Sequence, residues 1–396
     1  MVNQHRAYRA LQAEFFLLSV QIMLWTPRIP MVKDALGLNN GQLGRVLMFG
    51  GVAGLFFSRP IGSLVVRHGS KRVGGAALPL ALVGYSTIGL ARTEVQLALG
   101  LVVAGVGLMA YFTAITTQAG THNELTGRNT LNNLTAVANI GTLSCVAVGS
   151  ALLGAMSNAQ YIVGGSIATL SAMALFHAAL LAEDHKEDHE GTGGKLPWLG
   201  RAVLPLYIVA AALMASTVSE FSTNDWSALY TRDVLGIGAP WYTAPFLAFQ
   251  VAMVTARFRA DALGARFGVA RYVLVGAVMC ALGWTVLLVA AQHAPSRSAA
   301  LILTLAAFAF AGAGIGPIYP AYMDAVALQG FDRPVVLARL FSIVTAALVF
   351  GPGIIGAVAQ AVGLRSAMLL PPVMLVVAAT VGHRQLVQRH ATALAA

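Results

Sequence analysis

The stretch "LVVRHGSKR", residues 64–72, returns as "LGARFGVAR", residues 263–271, with Leu, Arg, Gly and Arg in register. The shift is 199 residues, and the same shift carries "KDALGL", 33–38, onto "RDVLGI", 232–237. Two polar phrases repeated at one offset mean that one unit has been used twice, since chance similarity would not keep a common shift. The surrounding composition names the medium. With 57% hydrophobic and 10% charged residues and a mean hydropathy of +0.73, the chain is too apolar for a soluble domain and reads as one that lives in lipid. Its 41 glycines suit helices that approach closely without a hydrophobic driving force between them.

A spanning helix needs about 20 mostly apolar residues. Cut at its charges, glycines and prolines, the chain yields twelve such segments. Six are expected at 9–30, 41–66, 73–91, 95–119, 131–156 and 160–182, and six at 202–229, 240–260, 272–292, 299–324, 335–360 and 364–388. The basic "QHRAYR" at the start resembles a signal-peptide n-region, but the apolar stretch behind it runs to Pro27 and Pro30 with no small-residue cleavage site, so it is kept as a helix. With both termini in the cytoplasm, 17 of the 25 lysines and arginines fall on the inner loops and ends and 6 on the outer side, leaving Arg45 and Arg59 within the second helix. This bias fixes the expected orientation and accounts for the net charge of +10 without a nucleic-acid partner.

The expected organisation is all-α and integral to the membrane: a six-helix bundle over 1–182, a cytoplasmic linker over 183–200 and a second six-helix bundle over 201–396. The linker, "EDHKEDHEGTGGKLPWLG", is the one long polar stretch. Its His185 and His189 are four apart beside Asp184 and Asp188, yet an acidic, glycine-ended linker reads as solvated rather than metal-binding. Cys145 and Cys280 fall in apolar segments and read as small hydrophobes. No nucleotide-binding loop, metal site or nucleophile constellation is present in the sequence, so neither an enzyme nor an ATP-driven pump is expected. Parallel repeats of six helices belong to carriers whose halves rock about a midplane site.

The loop after the second helix resembles the signature of the major facilitator superfamily, G-x-L-x-D-R-x-G-x-[RK]-[RK], through Gly62, Leu64, Arg67, Gly69, Lys71 and Arg72. Val66 stands where that signature has Asp, as does Ala265 in the second half, and Asp261 one turn earlier is the group available to replace it. "WTPRIP", 25–30, and "EFSTNDWSALYTRDVLG", 220–236, further resemble the MosC-like, rhizopine-transport-like branch. The resemblance implies a major facilitator fold in a bacterial-type inner membrane. It also implies a monomeric, proton-coupled carrier of a small-molecule substrate, with the proton gradient in place of a cofactor. Proton-driven efflux of a drug-like or secondary metabolite, and a non-transporting receptor on the same fold, are the competing readings. Helix 5, "NIGTLSCVAVGSALLG", lacks the proline of the antiporter motif common among exporters of the superfamily.

Polar groups that persist at bilayer depth mark the expected site, because a charge there costs about 3 kcal/mol. Glu220, in the outer half of helix 7, is the expected carrier of the coupling proton, with Asp225 nearer the outer interface. The 199-residue shift lays Gln21 over Glu220, which suits a shared polar cavity. Gln118, Gln250 and Arg45 are the other expected cavity groups, Arg45 as an anion partner or a partner of Glu220. In the inner loops Arg67, Gly69, Arg72, Asp261, Arg266, Gly268 and Arg271 are expected to act on conformation rather than to touch solute. Glu14 and His177 read as interfacial groups near inner helix ends.

Overall fold

The computed structural model describes residues 4–127, 130–181, 197, 198, 200, 203–326 and 333–388. The chain divides into two compact units, residues 1–189 and 190–396, and each holds six long helices. In the first unit these are α1 (Gln4–Ala35), α2 (Asn40–His68), α3 (Ser70–Leu90), α4 (Glu94–Thr126), α5 (Leu131–Ala151) and α6 (Asn158–His177). In the second they are α7 (Leu204–Val234), α8 (Ala244–Phe267), α9 (Val269–Gln292), α10 (Arg297–Met323), α11 (Arg333–Val362) and α12 (Leu364–Gln388). Eleven of the twelve are long and apolar enough to cross a membrane. The twelfth, α8, carries Arg257, Arg259, Asp261 and Arg266 in its final turns, and these charges keep it below that threshold of hydrophobicity. Nearly all of the linker, including the His185 and His189 pair, lies outside the described residues.

The repeat seen in the sequence is written into the backbone of each unit. Gly37 and Gly236, 199 residues apart, end their segments at φ 61° and φ 65°. Gly69 joins α2 to α3 at φ 84° and ψ 147°, and Gly268 joins α8 to α9 at φ 80° and ψ 128°. A Cβ is strained in both conformations, so each position needs glycine for the chain to turn there.

Small residues set the spacing inside each bundle. A Cβ added to Gly84 of α3 would overlap the backbone of Ala104 in α4, and one added to Gly312 of α10 would overlap the Phe249 carbonyl of α8. Without water to exclude, such contacts hold helices together by van der Waals packing. Large apolar side chains such as Phe56, Val66, Leu175, Phe258 and Ile302 stay exposed, the surface that acyl chains solvate.

Proline breaks two helices where function is sought. In α1 the regular helix stops at Met23 and resumes at Ile29 through the 3₁₀ turn Thr26–Arg28, because Pro27 and Pro30 donate no hydrogen bond. In α10 a turn at Gly316 and Pro317 separates Arg297–Ile315 from Ile318–Ala325. α4 outlasts its expected end at 119 and runs to Thr126, capped by Gly127 in the left-handed region, because Thr121 and His122 remain buried within the bundle.

Candidate functional site

The second bundle places its polar groups along one stripe of α7. Glu220, Asn224 and Ser227 follow the i, i+4, i+7 spacing of a single helix face. Asn224 and Ser227 are buried, and Asn224 Oδ1 and Ser227 Oγ have no hydrogen-bond partner among the described residues. Unsatisfied buried groups are rare in folded proteins and mark places where water or a ligand completes the bonding. Asp225, half-buried one step off this stripe, lies well inside α7, which continues to Val234 through a final π turn.

Glu220 itself is tied. Its Oε1 lies 3.8 Å from Nη2 of Arg257 on α8, and the two side chains are 23% and 32% exposed. Arg257 Nε also donates to the Gly316 carbonyl of α10 at 3.4 Å. That carbonyl is free to accept because the residue four positions on is Pro320, which has no N–H to offer it. Tyr319, on the resumed segment of α10, stands within electrostatic range of both Glu220 and Arg257. One acid and one cation from neighbouring helices thus meet beside the α10 break, with the Tyr319 phenol in their vicinity. Gln250 is buried on α8, two turns before Arg257.

In the first bundle Gln21, the repeat counterpart of Glu220, is fully buried and donates to Ser166 of α6 at 3.0 Å, while its Oε1 has no hydrogen-bond partner among the described residues. Arg28, which the sequence reading counted only as an outer-side cation, is fully buried as well. Its guanidinium donates to the carbonyls of Leu152 at 2.7 Å, Met156 at 2.8 Å and Leu153 at 3.4 Å, and stacks 4.5 Å from the centre of the Tyr161 ring. These carbonyls lie in the turn that follows α5, where Leu152 also accepts from Ala155 N at 3.2 Å, so Arg28 caps that turn from the α1 break. The clue in the sequence is an arginine between two prolines.

Around the Gly69 turn the first bundle builds a clasp. Lys71 Nζ donates to the Ala178 and Leu180 carbonyls, both at 3.0 Å, just past the end of α6. Gln118 accepts from Leu181 N at 2.9 Å and donates to the Leu181 carbonyl at 3.2 Å and to Ser70 Oγ at 2.7 Å. Arg67 and Arg72 remain exposed beside it, as do Asp261, Arg266 and Arg271 around Gly268 in the second bundle.

Six long helices in each unit among the described residues, with a like-shaped glycine turn and a basic loop after the second helix of each, agree with a match of the Major Facilitator Superfamily sequence model to residues 15–329. The chain belongs to the Major Facilitator Superfamily. Among curated major facilitator relatives, the uncharacterized transporter y4wD of Sinorhizobium fredii is 26% identical over 372 residues, 90% of this chain and 92% of that one. Membrane protein MosC of Rhizobium meliloti is 23% identical over 368 residues, 91% and 85% of the two chains. Among solved structures, a bacterial homologue of the human lysosomal transporter Spinster superposes with a TM-score of 0.76 at 14% identity, covering 98% of this chain and 99% of that one. The nucleoside transporter NupG gives 0.73 at 14%, covering 95% and 98%. At such identities these likenesses establish the fold alone. The protein is a multi-pass membrane transporter of a bacterial type, as its family and relatives are.

Within that major facilitator frame two expected cavity groups have structural employment. Gln118 has its amide oxygen and nitrogen engaged by the clasp, so neither end is left open to solute. Arg45, whose side chain is 62% exposed, lies 3.5 Å from Glu94 at the start of α4. Glu94 also accepts from Gln42 at 3.1 Å, so the pair ties the beginnings of α2 and α4. Glu220 has Arg257 as its partner instead. Two residues read as interfacial are interior: Glu14 is 0% exposed and His177 is 8% exposed. Nearer the start of α1, a cavity of about 530 Å³ is lined by Gln4, His5, Tyr8, His122, Thr126 and Asn133, and neither ring nitrogen of the buried His122 has a hydrogen-bond partner among the described residues. Position alone hid these residues, since a polar side chain one or two turns from a helix end is ordinarily wet.

Proposed function

We propose that this major facilitator protein moves a small polar solute across a bacterial-type inner (plasma) membrane by alternating access, with both termini cytoplasmic, as a monomer, driven by protons rather than a bound cofactor. The observation that supports proton coupling is the Glu220 and Arg257 pair, 3.8 Å apart on neighbouring helices. Protonating Glu220 removes the charge that holds Arg257, so the tie between α7 and α8 loosens with proton binding and tightens with release. A carrier needs this kind of differential interaction with two states for a proton to bias its conformation. Asn224 and Ser227, one and two turns along the same stripe, are positioned to sense that change and to bond the solute. Gln21 and Gln250 are assigned further hydrogen bonds to it. Arg67, Arg72, Arg266 and Arg271 are assigned to the conformational step, where exposed bases at tight turns meet headgroups.

The test is flux in vesicles against a panel of polyols, amino sugars, organic acids and drugs, with and without an uncoupler. Glu220→Gln is expected to abolish accumulation against a gradient while counterflow exchange of the same solute survives. Accumulation by Glu220→Gln with an unchanged pH profile would move the proton to another carboxyl, Asp225 first.

A further inference from the structure

Glu14 is the most secluded acid among the described residues, and the proton mechanism above makes no use of it. It sits on α1 among Leu11, Phe15 and Leu18, is 0% exposed, and neither carboxyl oxygen has a hydrogen-bond partner within bonding geometry among the described residues. An ionised carboxylate in that place would cost several kcal/mol, with no cation to offset it. The group facing it from α4 is Tyr111, itself 1% exposed. From α6 comes His177, whose Nδ1 lies 3.3 Å from the Tyr111 hydroxyl. From α3 comes the Lys71 carbonyl, 2.7 Å from His177 Nε2, while the Lys71 ammonium is turned to Ala178 and Leu180. The α5 residues packed here, Leu134 and Ala138, are apolar. The nearest titratable groups on α1 and α4 are Arg9 and His122, about 8 Å and 16 Å along their helix axes from Glu14 and Tyr111.

The bond directions in this chain follow from its far end. A carbonyl only accepts, so His177 Nε2 carries the hydrogen and Nδ1 holds a lone pair. The Tyr111 hydroxyl then donates to Nδ1, and its oxygen is left to accept. The partner that suits an accepting phenol is a carboxylic acid, not a carboxylate. An ionised Glu14 would draw the Tyr111 hydrogen to itself and leave Nδ1 without a donor.

We propose that Glu14 is a proton-binding site separate from Glu220, protonated in this conformation and discharged through Tyr111 and His177 when the first bundle rearranges. In the discharging step the Glu14 proton passes to the Tyr111 oxygen as the Tyr111 proton passes to His177 Nδ1. This leaves a carboxylate, a neutral phenol and an imidazolium beside the Gly69 turn, from which His177 gives a proton to water. Because the carboxylate is not tolerated in the packed bundle, loss of this proton is linked to opening of the α1 and α4 seam. The site would take a proton and no larger ligand, since apolar side chains close around it.

The experiment is infrared spectroscopy of the full-length protein in lipid vesicles at neutral pH, following the carbonyl stretch of protonated carboxylic acids in H₂O and D₂O. Wild type and Glu220→Gln are expected to share a band that is lost in Glu14→Gln, a substitution that keeps size and a hydrogen-bond donor. Tyr111→Phe should shift the band by removing the hydroxyl that faces the acid. His177→Gln should leave the band but slow its isotope shift after transfer to D₂O by at least about tenfold, as removal of a proton carrier does. A band unchanged in Glu14→Gln overturns the site. Should that variant fail to fold, a band unmoved in Tyr111→Phe overturns it equally. Loss of the band in Glu220→Gln alone would assign the buried proton to Glu220, a result distinct from any failure of the transport assay.

Discussion

Arg257 reaches Glu220 and the Gly316 carbonyl at once, 3.8 Å from the first and 3.4 Å from the second, so one side chain joins α7, α8 and α10. Both contacts lie at the long end of their range, and the Glu220 and Arg257 side chains keep some exposure. The arrangement therefore resembles a latch more than a structural staple.

Arg257→Gln should for that reason change melting temperature little, corresponding to about 1 kcal/mol or less. Transport should fall far more than stability, because Glu220 loses the charge its protonation is weighed against. Thermal melting in detergent beside vesicle flux checks the split, and parallel losses in both would make Arg257 a packing residue.

Arg28 is the opposite case. Arg28→Ala takes the charged donor from the carbonyls of Leu152, Leu153 and Met156 in the turn after α5, where Leu153 is buried, and a buried group left unsatisfied costs about 1–3 kcal/mol. We expect a severe loss of folded yield in detergent. Arg28→Lys should recover only part of it, since an ammonium cannot span these carbonyls and stack on Tyr161 as a planar guanidinium does. Full stability of Arg28→Lys, read by melting, would contradict the capping role.

The matched turns give a prediction from symmetry. Gly69→Ala and Gly268→Ala each force a Cβ into a backbone conformation that costs about 1–3 kcal/mol, so the two variants should be destabilised to a similar degree. Melting temperatures measured side by side check this. An unperturbed Gly268→Ala would show that the second turn relaxes where the first does not.

Orientation can be read directly. A cysteine placed at Asn158, which begins α6, should react with a membrane-impermeant thiol reagent applied to intact cells, whereas one at Gly193 should not. Labelling at Gly193 would reverse the proposed topology.

The sequence by itself determined the fold. Lipid leaves a chain only helices or closed barrels, so apolar runs of sufficient length give the helix count almost without reference to packing. The 199-residue shift between Lys33 and Arg232 and between Arg67 and Arg266 then disclosed the repeat, because glycine turns such as Gly69 and Gly268 are local requirements written in local residues. Glu220 was legible for a similar reason, as an acid in an apolar run. Which groups Glu220, Gln118, Arg45 and Arg28 would meet was decided only in three dimensions: Arg257 is 37 residues from Glu220, and Leu181 is 63 from Gln118. Burial escaped the sequence most completely at Glu14. Five residues past the expected start of the first helix at residue 9, an acid reads as wet, and only the close packing of α4, α5 and α6 around α1 makes it dry.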